Sequence, residues 1–592
     1  MGTPKKATPM MEATVSDFDA PRARTDDPQP ADIHDEREAD LAVRAQAGLL
    51  RNSAVMASGS IVSRITGVLR NISLTAALGL TIASDAFTLG NSLPDIVYVL
   101  VIGGALNAVF VPQLVRRMKD DADGGKAYTD SLLSLTGVLL LIVTVISVLL
   151  APVIVSLYAT SSYSAEQIGL AVAFARYCLP QIFFFGLYAM LTQVLNSRGR
   201  FGMPMFAPIF NNLVAIATYV SFIWVYGTPA KDALIDGGQA MWLGVGTTLG
   251  IAAQALILVP VMLRSGYRFS FSRQWRGMGL GKAGRLAGWT IGLVAVTQAA
   301  FIVISRLATQ ANVDSSEVGA PPAGLSTYTN AYLVFMIPHG IVTVSIVTAQ
   351  LPGLARLVHA GQRRAAGVDI GHTMRLVALV IAPLATALAL AAQPLANLLF
   401  NYGAASAEQA AQLGTVMSIF MLGLVPFTLF YVLQRGWYAN EDTRTPFLFS
   451  VLMNGVLVAL AIPLFARAAP GPHQVSALAI AYSTACLVTF LIAWPTLRRS
   501  YGFLDSRATL WALVRIGAAV AAAIIAVALL HRFVLPPFSL EDGKTAALIS
   551  LVVISAVVAA AYGIVAWLLR IPEMHEITGW VAGAVRRVLP SR

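Results

Sequence analysis

The chain has 592 residues, of which 57% are hydrophobic and 12% charged, with a mean hydropathy of +0.70. A soluble domain carries about twice that charged share, so a soluble enzyme or binding module is excluded and a polytopic membrane protein remains. The formal charge of +11 and sequence pI near 9.7 match an anionic membrane face and require no nucleic acid partner.

The first fifty residues, with "DFDAPRARTDDPQPADIHDEREAD", are rich in charge and proline and poor in aromatics, which predicts a disordered cytoplasmic tail. No cleavable signal is visible ahead of the first apolar stretch, which begins near residue 53. From there apolar runs of about 20 residues recur. They are too long and uniform for barrel strands, so the expected fold is all-α with about 14 transmembrane helices. The spans fall near 53–79, 84–116, 128–158, 168–196, 203–226, 239–263, 285–311, 324–350, 371–400, 411–438, 446–466, 474–497, 508–534 and 545–570. Cys178 and Cys486 lie within these helices, away from CxxC spacing, and read as buried thiols. Neither a metal site nor a cofactor is expected.

Lysine and arginine concentrate in alternate loops. Arg116, Arg117, Lys119 and Lys126 follow the second helix, Arg198 and Arg200 the fourth, and Arg264, Arg268, Arg273, Arg276 and Lys282 the sixth. Arg356, Arg363 and Arg364 follow the eighth, and Arg498, Arg499 and Arg507 the twelfth. Basic loops stay cytoplasmic, so both termini are expected in the cytoplasm of a multi-pass protein of the inner (plasma) membrane.

Three proline-bearing stretches recur. "APVIVSLY" (151–158) resembles "QPLANLLF" (393–400), and "MPMFAPIFNNLV" (203–214) resembles "TPFLFSVLMNGV" (445–456), both 242 residues apart; "VPQLVRR" (111–117) resembles "LPGLARL" (351–357). The second match superposes Asn212 on Asn454. The offset spans six helices, an even number, which predicts two parallel repeats facing each other across a substrate path. The expected organisation is an N-lobe over 51–283, a C-lobe over 284–500, and two further helices with a short cytoplasmic C-terminus over 501–592.

The first span contains "SRITGVLRNISLTAALG" (63–79). By helical spacing Ser60, Ser63, Arg64, Gly67, Arg70 and Asn71 share one side, while Ile61, Ile65 and Leu69 face away. Arg64 lies roughly 16 Å beyond residue 53, near the midplane, and Arg70 about 9 Å further along. An arginine at that depth costs roughly 2.5–3.5 kcal/mol on insertion scales. Snorkelling, or a bridge to Asp85 at the start of the second helix, would offset part of it. The alternative is a polar, cationic cavity for an anionic ligand, which suits a guanidinium because its fork binds phosphate oxygens bidentately. Arg176 in "FARYCLPQ" and Arg306 in "IVISRLATQ" are weaker candidates for the same cavity. His339 in "MIPHGIV" reads as a packing site before a proton relay. Gly103, Gly104 and Pro112 in the second helix, and Pro338 with Gly340 in the eighth, would loosen their helices and serve as hinges. No nucleotide, nucleophile-elbow or metalloprotease motif stands out.

At these residues the chain resembles a known family. "SRITGVLRNISLTAALG" followed by "SDAFTLGNSLPDIVYVLVIGGALNAVFVPQLVRR" resembles the helix 1–2 signature of the MurJ (MviN) lipid II flippases, and "QVLNSRGRFGMPMFAPIFNN" resembles their helix 4–5 junction. The similarity runs from about residue 50 to 500, with the composition of an actinobacterial-like variant. The resemblance implies two six-helix lobes, with the last two helices lining a groove for a polyprenyl tail. It implies a transporter, not an enzyme, that moves lipid II from the inner to the outer leaflet for peptidoglycan synthesis, cell wall biogenesis and cell shape. Lipid II, membrane lipids and cell-wall synthesis proteins are the implied partners. Arg64, Arg70, Asp85 and Arg176 are the implied binding residues, with pyrophosphate the anion for the first two. The chain departs from the family at Tyr98 and Leu333, where many members have arginine, and at Gly103 and Asn71, where acidic residues are common. It has no carboxylate within 285–311 or 446–466, so coupling to membrane potential is expected in place of sodium at that site. Other readings are a flippase for another polyprenyl-linked glycan, a multidrug exporter of the same superfamily, and a non-transporting scaffold for cell-wall enzymes.

Overall fold

Short polar turns separate the apolar runs and supply the residues that start the next helix. Thr81 accepts a hydrogen bond from the Ser84 backbone. Ser164 with Gln167, and Ser406 with Gln409, form reciprocal capping boxes, each side chain satisfying an N–H that a first turn leaves open. The computed structural model describes residues 58–100, 121, 123, 125–229, 234–273, 280–539, 543–574, 576 and 579, and its regular elements are helices. The expected tail (1–50) and the glycines Gly103 and Gly104 lie outside the described residues.

Giving a broken span one label, the helices are α1 (58–78), α2 (Ile82–Tyr98), α3 (Lys126–Leu149 with Ala151–Tyr158), α4 (Ala165–Cys178 with Gln181–Ser197), α5 (Gly202–Tyr226) and α6 (Gly237–Leu256 with Leu258–Arg264). They continue with α7 (Leu280–Glu317), α8 (Leu325–Pro338 and Val344–His359, joined by a π-helical turn His339–Thr343), α9 (Arg363–Leu390 with Ala392–Phe400) and α10 (Ala407–Leu422 with Leu424–Ala439). Last come α11 (Arg444–Arg467), α12 (Pro472–Tyr501), α13 (Ser506–Phe533) and α14 (Lys544–Leu568). Among the described residues eleven helices are long and apolar enough to cross a membrane, or twelve with α10, whose halves bend by 43°. By that measure the expected fourteen is not reached. The shortfall falls at α1, which carries two arginines, and at α2, described only as far as residue 100.

The repeat is visible in local structure. The capping serines Ser164 and Ser406 stand 242 residues apart, as do the first residues of α5 and α11, Gly202 and Arg444. Both α3 and α9 break near their far end, at Leu150 and Ala391. Within the first lobe small residues allow close helix approach. A side chain at Gly90 would overlap Phe174 and Ala175 of α4, and one at Gly250 would overlap Asn211 of α5. The second lobe is packed by rings: Phe420 sits 5.1 to 6.0 Å from Tyr328, Tyr332, Phe335 and Tyr482.

Helices α13 and α14 are tied to the second lobe at both ends. At one end the Lys544 ammonium donates to the Asn401 carbonyl (2.8 Å) and sits 3.9 Å above the Tyr402 ring. At the other, Arg375 of α9 donates to Asp505 (3.0 Å), Thr509 (3.3 Å) and Glu573. Arg375 is 11% and Glu573 4% exposed. Removing one partner of a buried ion pair strands the other charge, at a cost of about 3–5 kcal/mol. Arg375→Met is therefore expected to lower the thermal unfolding midpoint of the purified protein clearly, with Arg507→Met, at an exposed site, as the control that leaves it in place.

Hydrogen bonds between the two lobes gather at one end, called here the sealed end. The Ala404 backbone N–H donates to the Ala76 carbonyl (2.8 Å), and Leu80 N–H to Gln409 Oε1 (3.4 Å). The backbone N–H of Thr160, past α3, donates to Thr309 Oγ1 of α7 (3.0 Å), and its hydroxyl bonds Gln310. Gly403, at φ +60°, lies so close to the Ala76 carbonyl that a side chain there would collide with backbone. The opposite end carries Arg198, Arg200, Arg264, Arg363, Arg364, Arg498 and Arg499 and is the basic end.

Candidate functional site

Between the lobes lies a cavity of about 650 Å³. Arg70 of α1, Asn91, Ser92 and Asp95 of α2, and Gln181 of α4 line it from the first lobe. Thr297 and Gln298 of α7, Tyr328, Thr329 and Tyr332 of α8, Asn454 of α11 and Tyr482 of α12 line it from the second. The volume suits a small polar headgroup.

Arg70 reaches this cavity because α1 is amphipathic in the expected sense. Ile61, Ile65 and Leu69 point outward, 47%, 56% and 48% exposed, while Asn212 of α5 donates to the Ser63 carbonyl (3.0 Å) and to Thr66 Oγ1 (2.9 Å), fixing α1 against α5. The half-buried Arg70 donates through Nη2 to Asn71 Oδ1 at 3.4 Å. Asn71 in turn donates to Asn330 (3.3 Å), and Asn330 to Thr75 (3.4 Å). An amide at position 71 orients the guanidinium without neutralising it. Among the described residues Arg70 pairs with no carboxylate within ion-pair distance, so most of its N–H donors remain for a ligand.

The remaining predicted residues do not join it. Asp85 is 0% exposed and turned toward the second lobe: Oδ2 accepts from Asn312 Nδ2 (2.8 Å) and Leu325 N–H (3.0 Å), and Oδ1 from Ser326 N–H (2.7 Å). It therefore caps the N-terminus of α8, where the helix dipole favours a negative charge, and neither arginine bridges to it. Arg176 is exposed at the end of the first segment of α4 and does not line the cavity. Arg306 donates to the Ser156 carbonyl (3.1 Å), fastening α7 to α3. Arg64 is exposed with its guanidinium against Gly340 of α8, outside the cavity wall. At Pro338 and Gly340 the α geometry gives way to the π-helical turn His339–Thr343. Such turns are frequent at functional sites.

The charge of the cavity also differs from expectation. Among the described residues its charged lining is Arg70 and Asp95, so that lining carries no net charge. Asp95 and Arg435 are ionisable residues inside apolar runs, "SLPDIVYVL" and "FYVLQRGWYA". They give the same signal that singles out Arg64, and the sequence reading passed over both. Gln181 donates to Asn91 (3.2 Å) and Thr248 (3.1 Å), whereas Gln298 Oε1 is buried without a partner. Cys178 and Cys486 are buried free thiols.

Comparison with known proteins places this geometry. The sequence profile of the family described as lipid II flippase MurJ matches residues 74–542. A Rhizobium meliloti (strain 1021) protein named probable lipid II flippase MurJ is 27% identical over 449 residues, 75% of this chain and 81% of the relative. A Burkholderia cenocepacia protein named lipid II flippase MurJ is 26% identical over 417 residues, 69% and 76% of the two chains. A solved structure described as lipid II flippase MurJ in an inward closed conformation aligns with a TM-score of 0.66 at 17% identity, over 87% of this chain and 99% of that one, and so shares the fold. The profile alone spans well over half of the sequence, and the two-lobed helical architecture agrees with it: the chain belongs to the lipid II flippase MurJ family.

Proposed function

We propose that the protein carries lipid II, the undecaprenyl-pyrophosphate-linked peptidoglycan precursor, from the inner to the outer leaflet by alternating access between its lobes. It makes and breaks no covalent bond in this reading. The single observation that carries the proposal is Arg70: a guanidinium with open donors, facing an inter-lobe cavity in a fold whose lobes are bonded at one end. The basic end is assigned to the cytoplasm by the positive-inside rule, which puts both termini there and makes it the loading side. Asp85 and the Ala76–Ala404 contact are then the outer gate, with Pro338 and Gly340 as the hinge in α8. The enzymes that polymerise the precursor are the partners this reading implies. Membrane potential is its energy source, worth about 2.3 kcal/mol per charge per 100 mV.

Asp95 favours one other reading, a cation exporter, because a carboxylate in the cavity attracts cations. Arg70 in the same wall opposes it. Leaflet-resolved measurement of lipid II in a depletion strain separates the two. Depletion should strand lipid II on the inner leaflet, and the wild-type chain should restore it to the outer one. Normal lipid II distribution together with raised sensitivity to cationic dyes would select the exporter.

A further inference from the structure

A second cavity, of about 600 Å³, lies at the sealed end and shares no lining residue with the one that Arg70 faces. Its walls come from both lobes: Thr81, Ser164 and Glu166 from the starts of α2 and α4, and Asn312, Ser316 and Glu408 from α7 and the start of α10. Glu166 and Glu408 stand 242 residues apart, the spacing of the repeat, each in the first turn of its helix. Both are exposed, and among the described residues neither pairs with a cation within ion-pair distance. The described lining contains no lysine, arginine or histidine. Two carboxylates at helix starts would by themselves be a solvated rim, but Asn312 adds an independent signal. It is 0% exposed and forms part of the wall. Its Nδ2 donates to Asp85 Oδ2 (2.8 Å), which fixes the orientation of the amide, and its Oδ1 is left buried without a partner. A buried acceptor with no donor is costly and rare, and it marks a place where a donor belongs.

The charged groups of this wall and its buried unpartnered atom are all acceptors. Among the described residues no three carboxylate, histidine or thiol groups stand close enough to hold a metal ion, and the volume suits a small organic molecule better than a bare ion. We propose that this cavity binds an organic ammonium. Its N–H groups donate to Asn312 Oδ1, and its charge is met by Glu166 of one lobe and Glu408 of the other through charge-assisted hydrogen bonds. Because the two carboxylates belong to different lobes, the site is whole only while the lobes are closed at this end. A ligand that binds one state alone shifts the balance toward it, so the ammonium compound holds the sealed end shut. Asn312 couples the two events, since the same amide that takes the ligand donates to Asp85. Binding is independent of what the protein carries; the effect on transport rests on the reading of alternating access.

The test titrates the full chain, in nanodiscs of zwitterionic lipid, with the diamine cadaverine by calorimetry at constant ionic strength. Wild-type protein should bind it, and Glu166→Gln or Glu408→Gln should each weaken binding about tenfold, as expected for loss of a charge-assisted contact. Glu441→Gln, at the basic end, should leave the affinity in place. Binding of Nα-acetyl-lysine amide as well would identify a site that also reads a peptide-borne ammonium; binding of cadaverine alone would identify one that reads a free amine. Magnesium chloride is the arm for a bare ion, and displacement of cadaverine by equal concentrations of magnesium would overturn the ammonium assignment. No binding by wild-type protein, or equal binding by the folded Glu166→Gln/Glu408→Gln double variant, overturns the site. In proteoliposomes, cadaverine on the sealed side should slow lipid II translocation by the wild-type chain several-fold and leave the double variant at its own rate. Tight binding with no slowing would remove the hold on the closed state and keep the site. If the wild-type chain flips no lipid II at all, the transport reading falls while the titration still decides the site.

Discussion

Arg70→Ala is expected to abolish lipid II translocation, with at least a hundredfold loss of rate in proteoliposomes and no rescue of a depletion strain. The side chain lines the inter-lobe cavity and spends one hydrogen bond on Asn71, leaving the rest of the guanidinium for the ligand. A charge-assisted hydrogen bond is worth about 1.5–3 kcal/mol, and a bidentate guanidinium–phosphate contact makes two of them. Each 1.4 kcal/mol or so is a factor of ten, so loss of the pair corresponds to roughly two to four decades. Arg70→Lys should keep a measurable fraction, because the charge persists while the fork is lost. Asn71→Asp should also reduce transport in this chain, which has Leu333 where many family members have a balancing arginine, since a carboxylate there would compete with the substrate phosphate for the same donors. Undiminished transport by Arg70→Ala would remove the observation on which the proposed function rests.

Asp85→Ala should open the sealed end. Its two carboxylate oxygens accept from Asn312 Nδ2 and from the Leu325 and Ser326 backbone N–H groups. Deleting it leaves those donors in a dry interface at about 1–3 kcal/mol each, without the charge that complements the α8 dipole. A loss of even about 3 kcal/mol moves the balance between closed and open lobes by roughly a hundredfold. Ala405 is 5% exposed beside the Ala404–Ala76 contact, and the native thiols Cys178 and Cys486 are buried. A cysteine introduced by Ala405→Cys therefore reports the gate with little background. Its reaction with a membrane-impermeant maleimide should speed up more than tenfold in the Asp85→Ala background. Asp85→Asn should fall between, because the amide keeps an acceptor but turns its own N–H groups toward the others. Equal labelling in folded Asp85→Ala protein would mean that the other seal contacts hold the end shut alone.

Much of the architecture was legible in the chain. Uniform apolar length marked the spans, since backbone polar groups in lipid must be satisfied within the segment. The capping serines and the breaks at Leu150 and Ala391 follow the spacing of the sequence repeat, because a shared local sequence imposes a shared local geometry. The apolar side of α1 followed from the helical period, as the exposure of Ile61, Ile65 and Leu69 attests, while on the expected polar side Arg70 faces the cavity and Ser60 and Arg64 are exposed.

Which polar residue meets which was not legible. Arg64 and Arg70 lie on the same helix side by spacing, yet one rests on the π-helical turn of α8 and the other faces the cavity. Asp85 is near both in sequence, yet its hydrogen bonds run to residues 312–326, more than two hundred positions away. Period and composition depend on neighbours within a few turns, so they suffice to specify a membrane-spanning, all-helical, internally repeated chain with cations inside its first span. Partners of a buried charge are chosen by where helices far apart in the chain cross. Those crossings are what bring Arg70 to a cavity shared with Asp95, Asp85 to the start of α8 in the opposite lobe, and Arg435 to the Tyr431 ring that meets His339.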